Sequence, residues 1–181
     1  MIKIPDTTLL SALGREIPSV DVIPIVCGEY GLMVTGEVLE EISRMPCERI
    51  DAARGLMIPP LQSGERYRKI VSYLVSRYTV LHIGELSCIA TSLMLSSEGR
   101  ENYLVLDDKP ARNLAEKIHN DDQIVRILGN VPPLKFTGTF GLLIHLKSKG
   151  RISKSECAKI SDDLRHSTFR LNPGMLDRFI K

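Results

Sequence analysis

The stretch Tyr103-Leu104-Val105-Leu106-Asp107-Asp108-Lys109-Pro110 decides the fold. Its first four residues form an uninterrupted apolar run, the pattern of a strand covered on both faces, as parallel strands are. The run stops at Asp107 and Asp108. Pro110 then opens a helix through Ile118, since the N–H it lacks is one the first helical turn leaves unbonded anyway. A buried strand that ends in acids and passes straight into a helix is the building unit of a parallel α/β sheet.

Working outward, the same alternation recurs. Ile2-Lys3-Ile4 alternates as a short strand does, and Pro5 is expected to stop its ladder. Asp6 then caps a helix over Thr7–Leu13 that Gly14 closes. Val20–Cys27 is apolar and β-branched but bordered or interrupted by prolines, and it fits either element. Gly31–Val34 reads as a second buried strand, after which Thr35 caps a helix to about Arg44 with Glu37 in its first turn. Residues 46–63 read as a surface connection or a partly helical excursion. Tyr67, Ile70, Val71, Leu74 and Tyr78 recur at helical spacing, as do Ile83, Leu86, Ile89, Ala90 and Leu93. Downstream lie an edge strand at Leu134–Phe136, an apolar helix ended by Gly150, and two helices over 153–165 and 173–180. The prediction is one α/β domain over residues 1–181, a three-layer α/β/α arrangement with a mainly parallel central sheet flanked by helices. Residues 153–181 form its C-terminal helical extension.

Composition narrows the classes. A chain of 181 residues with 43% hydrophobic and 25% charged residues is ordinary globular material, long enough for one real core. The formal charge of +2 neither demands nor excludes a nucleic-acid partner. The N-terminus lacks a secretory pattern and no window has the length of a membrane span, so a cytoplasmic protein with no membrane contact is expected. Cys27, Cys47, Cys88 and Cys157 match no zinc-ligand spacing and are expected as reduced thiols. The four histidines show no pairing at metal or triad spacing. The basic residues around 44–77 are available to RNA phosphates or to solvent alike.

In open α/β sheets ligands bind beyond the carboxyl ends of the strands. Asp6 follows the first strand, Asp107 and Asp108 follow the buried one, Glu85 opens a helix, and Glu41 lies in the helix after the second strand. Carboxylates gathered at one rim repel one another, and a hard cation such as Mg2+ or Mn2+ relieves that repulsion. Each acid alone is equally a helix cap or a dipole-stabilising residue.

Five segments in order resemble the PIN-domain family, in its VapC-like toxin branch. They are Asp6-Thr7-Thr8-Leu9-Leu10, Val38-Leu39-Glu40-Glu41-Ile42, Ile83–Ala90 (IGELSCIA), Leu104–Arg112 (LVLDDKPAR), and Phe136–Leu143 (FTGTFGLL) with the Lys147–Ile152 block after it. Pro5 departs from the family pattern, where an apolar residue precedes the first Asp, and residues 43–80 match none of its motifs.

The resemblance implies an Mg2+- or Mn2+-dependent endoribonuclease, the toxin of a toxin–antitoxin pair, with RNA as substrate, an antitoxin protein as partner and a homodimeric state. Asp6, Glu41, Glu85 and Asp107 or Asp108 would be catalytic, with Asp6, Glu85 and Asp107 as metal ligands. Asp107 is favoured over Asp108 by its place at the strand end. Thr8 would hold a carboxylate, and Thr137-Gly138-Thr139 would receive a phosphate at a helix N-terminus. The other outcome is a PIN-like scaffold with weak or no catalysis that binds RNA or protein.

Overall fold

The computed structural model describes residues 1–61, 64–169 and 173–180. Four strands, β1 (Ile2–Pro5), β2 (Gly31–Leu32), β3 (Asn102–Val105) and β4 (Phe136–Thr137), form one sheet in the order β2-β1-β3-β4. Every pairing is parallel, with Ile4 opposite Leu104 and Val105 opposite Thr137. Helices flank the sheet, as a three-layer α/β/α arrangement requires.

The chain leaves β1 to one side to make β2, then crosses back to place β3 on the other side. A topological switch point therefore lies between the carboxyl ends of β1 and β3, where open α/β sheets bind ligands. Asp6 and Asp107 emerge at that crevice.

Pro5 does not stop the ladder, contrary to the expectation above. Ile2 N–H bonds Glu101 and Asp6 N–H bonds Val105, while Lys3 C=O accepts from Met33 on the other side. Alternation turns the bare nitrogen of Pro5 toward β2, which has already ended, so no ladder bond is lost. The Pro5 carbonyl on that side accepts from Cys88 Sγ at 3.2 Å.

After β1 come α1 (Thr7–Ser11), a π-turn over Ala12–Glu16 and α2 (Val22–Glu29). Gly14 thus continues the turn rather than closing the helix; a Cβ there would lie 2.9 Å from Cys47 Sγ and Ile50 Cγ1, so glycine admits their close approach. The proline-bordered Val20–Cys27 stretch is helical, because Pro24 falls in the first turn, where no N–H is needed.

α3 (Gly36–Ser43), α4 (Glu48–Ala53), α5 (Glu65–Arg77) and α6 (Ile83–Ser97) connect β2 to β3. α4 and the 3-10 turn after it are more than a surface connection: Ile50 and Ala53 are buried, and Ile58 bridges to Met33. α6 is apolar nearly all round and packs on β1 and β3 with α3 and α5 outside it.

Beyond β3 lie α7 (Lys109–Lys117) and α8 (Asp122–Leu128). The edge strand β4 falls at Phe136–Thr137 rather than centred on Lys135. Last come α9 (Thr139–Ser148), α10 (Lys154–His166) and α11 (Pro173–Ile180). Among the described residues no helix is long and apolar enough to cross a membrane. All four cysteines are free thiols.

Candidate active site

Asp6 leaves the end of β1 and caps α1, its Oδ1 accepting from Leu9 N–H at 3.0 Å. The residue is only 2% exposed. Its Oδ2 is enclosed and has no hydrogen-bond partner among the described residues. Burial pushes the carboxyl up to about 7, and the charges of Asp107 and Glu85 push the same way; the N–H groups of Leu9 and Asp107 pull against them. The Asp107 N–H thus favours the ionised form without completing a hydrogen bond.

Asp107 is held from across the crevice. Thr139 donates its backbone N–H to Oδ1 at 2.9 Å and its hydroxyl to Oδ2. Gly138, before it, must be glycine for this approach, since a Cβ there would lie 2.7 Å from Asp107 Oδ1. Thr139, expected to receive a phosphate, is fully buried and spends both donors on Asp107. Thr137 Oγ1 points to the Gly138 carbonyl at 3.4 Å.

The aspartate pair divides. Asp108 caps α7 by accepting from Ala111 N–H at 3.0 Å. Its charge acts on Glu85.

Glu41 on α3 bridges two elements. Its Oε2 accepts from the Thr7 hydroxyl and its Oε1 from Gly84 N–H at 3.2 Å. A Cβ on Gly84 would lie 2.8 Å from both Glu41 oxygens, so glycine at the second position of α6 lets the carboxylate in. Glu85 caps its own helix, accepting from His82 N–H at 3.0 Å. Burial raises its carboxyl above the ordinary range, with Asp108 and Glu41 adding to the effect and the His82 N–H opposing it.

Thr8 does not hold a carboxylate. It is exposed, and the hydroxyl that reaches one belongs to Thr7. Both threonines lie in the first turn of α1, and only rotation about the helix axis separates their roles. Sequence alone carries no signal for that phase, nor for the Gly84 N–H as a partner of Glu41.

The charges of the five acids act on one another in pairs, Asp6 with Asp107 and Glu85, and Glu85 with Glu41 and Asp108. But Asp6, Glu85 and Asp107, expected to hold a metal together, do not converge as a ligand trio. Among the described residues no three His, Cys, Asp or Glu side chains converge as a ready-made ligand set for a metal ion. A cavity of about 710 Å3 abuts the cluster and takes in Asp107 but not Asp6, Glu41 or Glu85. Thr7, Thr8, Arg112, Gly138, Phe140 and Phe169 are among its walls, so one arginine and two aromatic residues border the space beside the acids. Comparison of the chain with protein-family models, with curated proteins and with solved structures finds no match in any of the three.

Proposed function

We propose that this chain is a metal-dependent endoribonuclease of the PIN type, hydrolysing RNA phosphodiester bonds with Mg2+ or Mn2+. One observation carries the reading: an aspartate buried at the switch point of a parallel sheet, with one oxygen enclosed and without a partner among the described residues. An orphaned buried acceptor costs roughly 1–3 kcal/mol, and a divalent cation is its natural complement. Mg2+ uses few protein carboxylates and completes its shell with water and substrate phosphate. Glu85, the third expected ligand, is instead held by the His82 N–H at 3.0 Å, so the proposed site rests on Asp6 and Asp107.

When bound, the ion lowers the pKa of a water and neutralises charge on the phosphoryl oxygens. Around it the side chains have separate tasks. The Leu9 N–H fixes Asp6, and Thr139 fixes Asp107, so neither carboxylate must reorganise. Glu85, with its raised affinity for a proton, orients or deprotonates the attacking water. Glu41, pinned by Thr7 and Gly84, adds negative charge behind it. Arg112 meets an RNA phosphate in the adjoining cavity.

The proposal extends to a cytoplasmic toxin of the VapC type, a homodimer restrained by an antitoxin. That part rests on the sequence resemblance alone.

Wild-type protein and an Asp6→Asn variant, incubated with structured RNAs in Mn2+, Mg2+ or EDTA, give the test. Cleavage is expected only with metal and only in the wild type. No metal-dependent cleavage by the wild type, or equal cleavage by both proteins, sinks the assignment.

The second reading, a PIN-like module that binds RNA or protein with little or no catalysis, has its own support. Glu41, Glu85 and Asp107 are already satisfied by protein donors. RNA retained but uncut in Mn2+ would select it.

A further inference from the structure

Lys3 is a charged residue in an inner strand of a parallel sheet, where apolar residues are the rule. It is 4% exposed. Its ammonium lies 4.0 Å from the centre of the Tyr103 ring and 4.9 Å from that of Tyr30.

Rings attract a cation but do not neutralise it, and the nearby carboxylates are spoken for. Glu101 attracts Lys3, yet it is paired with Lys135 at 3.4 Å. Glu29 is paired with Lys149 at 2.5 Å and Arg151 at 2.6 Å. Lys135 also lies over the Tyr103 ring and Lys149 over the Tyr30 ring. Among these named groups, the cations Lys3, Lys135, Lys149 and Arg151 stand against only Glu29 and Glu101.

A second polar group there is unsatisfied. Tyr30, 3% exposed, has its hydroxyl buried with no hydrogen-bond partner among the described residues. Lys3 also opens into a cavity of about 250 Å3, lined with Tyr103, Thr137, Leu142 and His145 among others. That is space for a small ion and bridging waters, each water occupying ~30 Å3.

We propose that the cavity lined by Lys3 is a binding site for a small oxyanion of the phosphate class, separate from the acidic cluster. Lys3 supplies the charge and His145 a ring nitrogen, with Lys135 and Lys149 drawing the anion in. Gly141, in the first turn of α9, lines both this cavity and the larger one beside Asp107. Burial, opposed by Glu101 and aided by Lys149, brings the Lys3 amine down to about 8. A bound anion reverses that effect, so binding near pH 8 takes up a proton.

The experiment uses metal-free protein in EDTA, which separates it from the nuclease reading. Inorganic phosphate is titrated calorimetrically at pH 8 in two buffers of different ionisation enthalpy. Saturable binding with proton uptake is expected, weakened roughly tenfold or more in Lys3→Met. In the wild type, the Lys3 side-chain NMR signal should shift with phosphate and its titration midpoint should rise. The last readout needs no variant to fold. No saturable binding, equal binding by Lys3→Met, or an unmoved Lys3 signal overturns the proposal.

Competition by a 5′-phosphorylated trinucleotide, but not by its 5′-hydroxyl form, would make a nucleic-acid end the ligand. Failure of both to compete would make it the free anion.

Discussion

Asp6 shows how one residue serves two ends that conflict. As a cap it stabilises α1 through Leu9, which favours the ionised form. Buried beside Asp107 and Glu85, it is driven toward the protonated form, and burial wins, with the carboxyl near 7 instead of the usual 3.8. The consequence for stability has a definite sign. Below pH ~4 both folded and unfolded chains hold the proton and Asp6 costs nothing. Between about 4 and 7 the unfolded chain ionises while the fold retains its proton, so stability falls as pH rises. Above 7 the loss is complete, on the order of 4 kcal/mol. Urea unfolding from pH 4 to 8 in EDTA should show this slope, with Asp6→Asn flattening it and Mn2+ restoring stability at the alkaline end. Identical slopes for wild type and variant would show that Asp6 does not titrate in this window.

At the scale of elements, the junction of β4 with α9 matters most, because it presents Thr139 to Asp107 across the crevice. Gly138→Ala would drive its Cβ against Asp107 Oδ1. The carboxylate would leave Thr139, with an expected cost of about 1–2 kcal/mol and loss of any activity that depends on Asp107. Gly36→Ala is the control: nothing lies within 4 Å of its Cβ, and alanine in the first turn of α3 should leave stability equal or raise it by a few tenths to ~1 kcal/mol. Thermal unfolding of the two variants reads this directly, and equal effects would refute the close-approach argument. The junction also shows what sequence can and cannot say. The existence of the strands, and Asp6 and Thr35 as caps, were legible because cap chemistry and apolar runs are local, whereas β2 ends two residues earlier than the Gly31–Val34 run and β3 one residue earlier than the Tyr103–Leu106 run. The exact place of β4 was not legible, because its register is set by Leu104 and Val105, some thirty residues away. Nor was the choice of Thr7 over Thr8, which only the rotation of α1 against α3 decides. Pro5 misled for a related reason: its effect depends on where the neighbouring strand stops.

At the scale of the molecule, α10 and α11 decide whether the C-terminal region is an appendage or part of the fold. Ile160, Leu164, Leu176 and Phe179 are all buried, and the Phe179 ring packs on Phe140 of α9 with centroids 5.4 Å apart. Polar ties run the length of the chain: Lys147 Nζ donates to the Phe179 carbonyl at 2.7 Å, Ser19 binds Asp163 at 2.8 Å, and Thr168 binds Glu16 at 2.9 Å. The last contact and Phe169 also wall the cavity beside Asp107. Burial of a large apolar side chain contributes ~1.5–3 kcal/mol. Four such residues approach the whole stability of a typical domain, roughly 5–15 kcal/mol. A chain ending at residue 152 should therefore lack a cooperative transition, whereas the full chain should unfold in a single step by circular dichroism and by tyrosine fluorescence alike. If the shortened chain kept a cooperative transition at the same urea midpoint, α10 and α11 would be an independent unit. The cavity they help to wall would then belong to an arrangement the rest of the fold does not need.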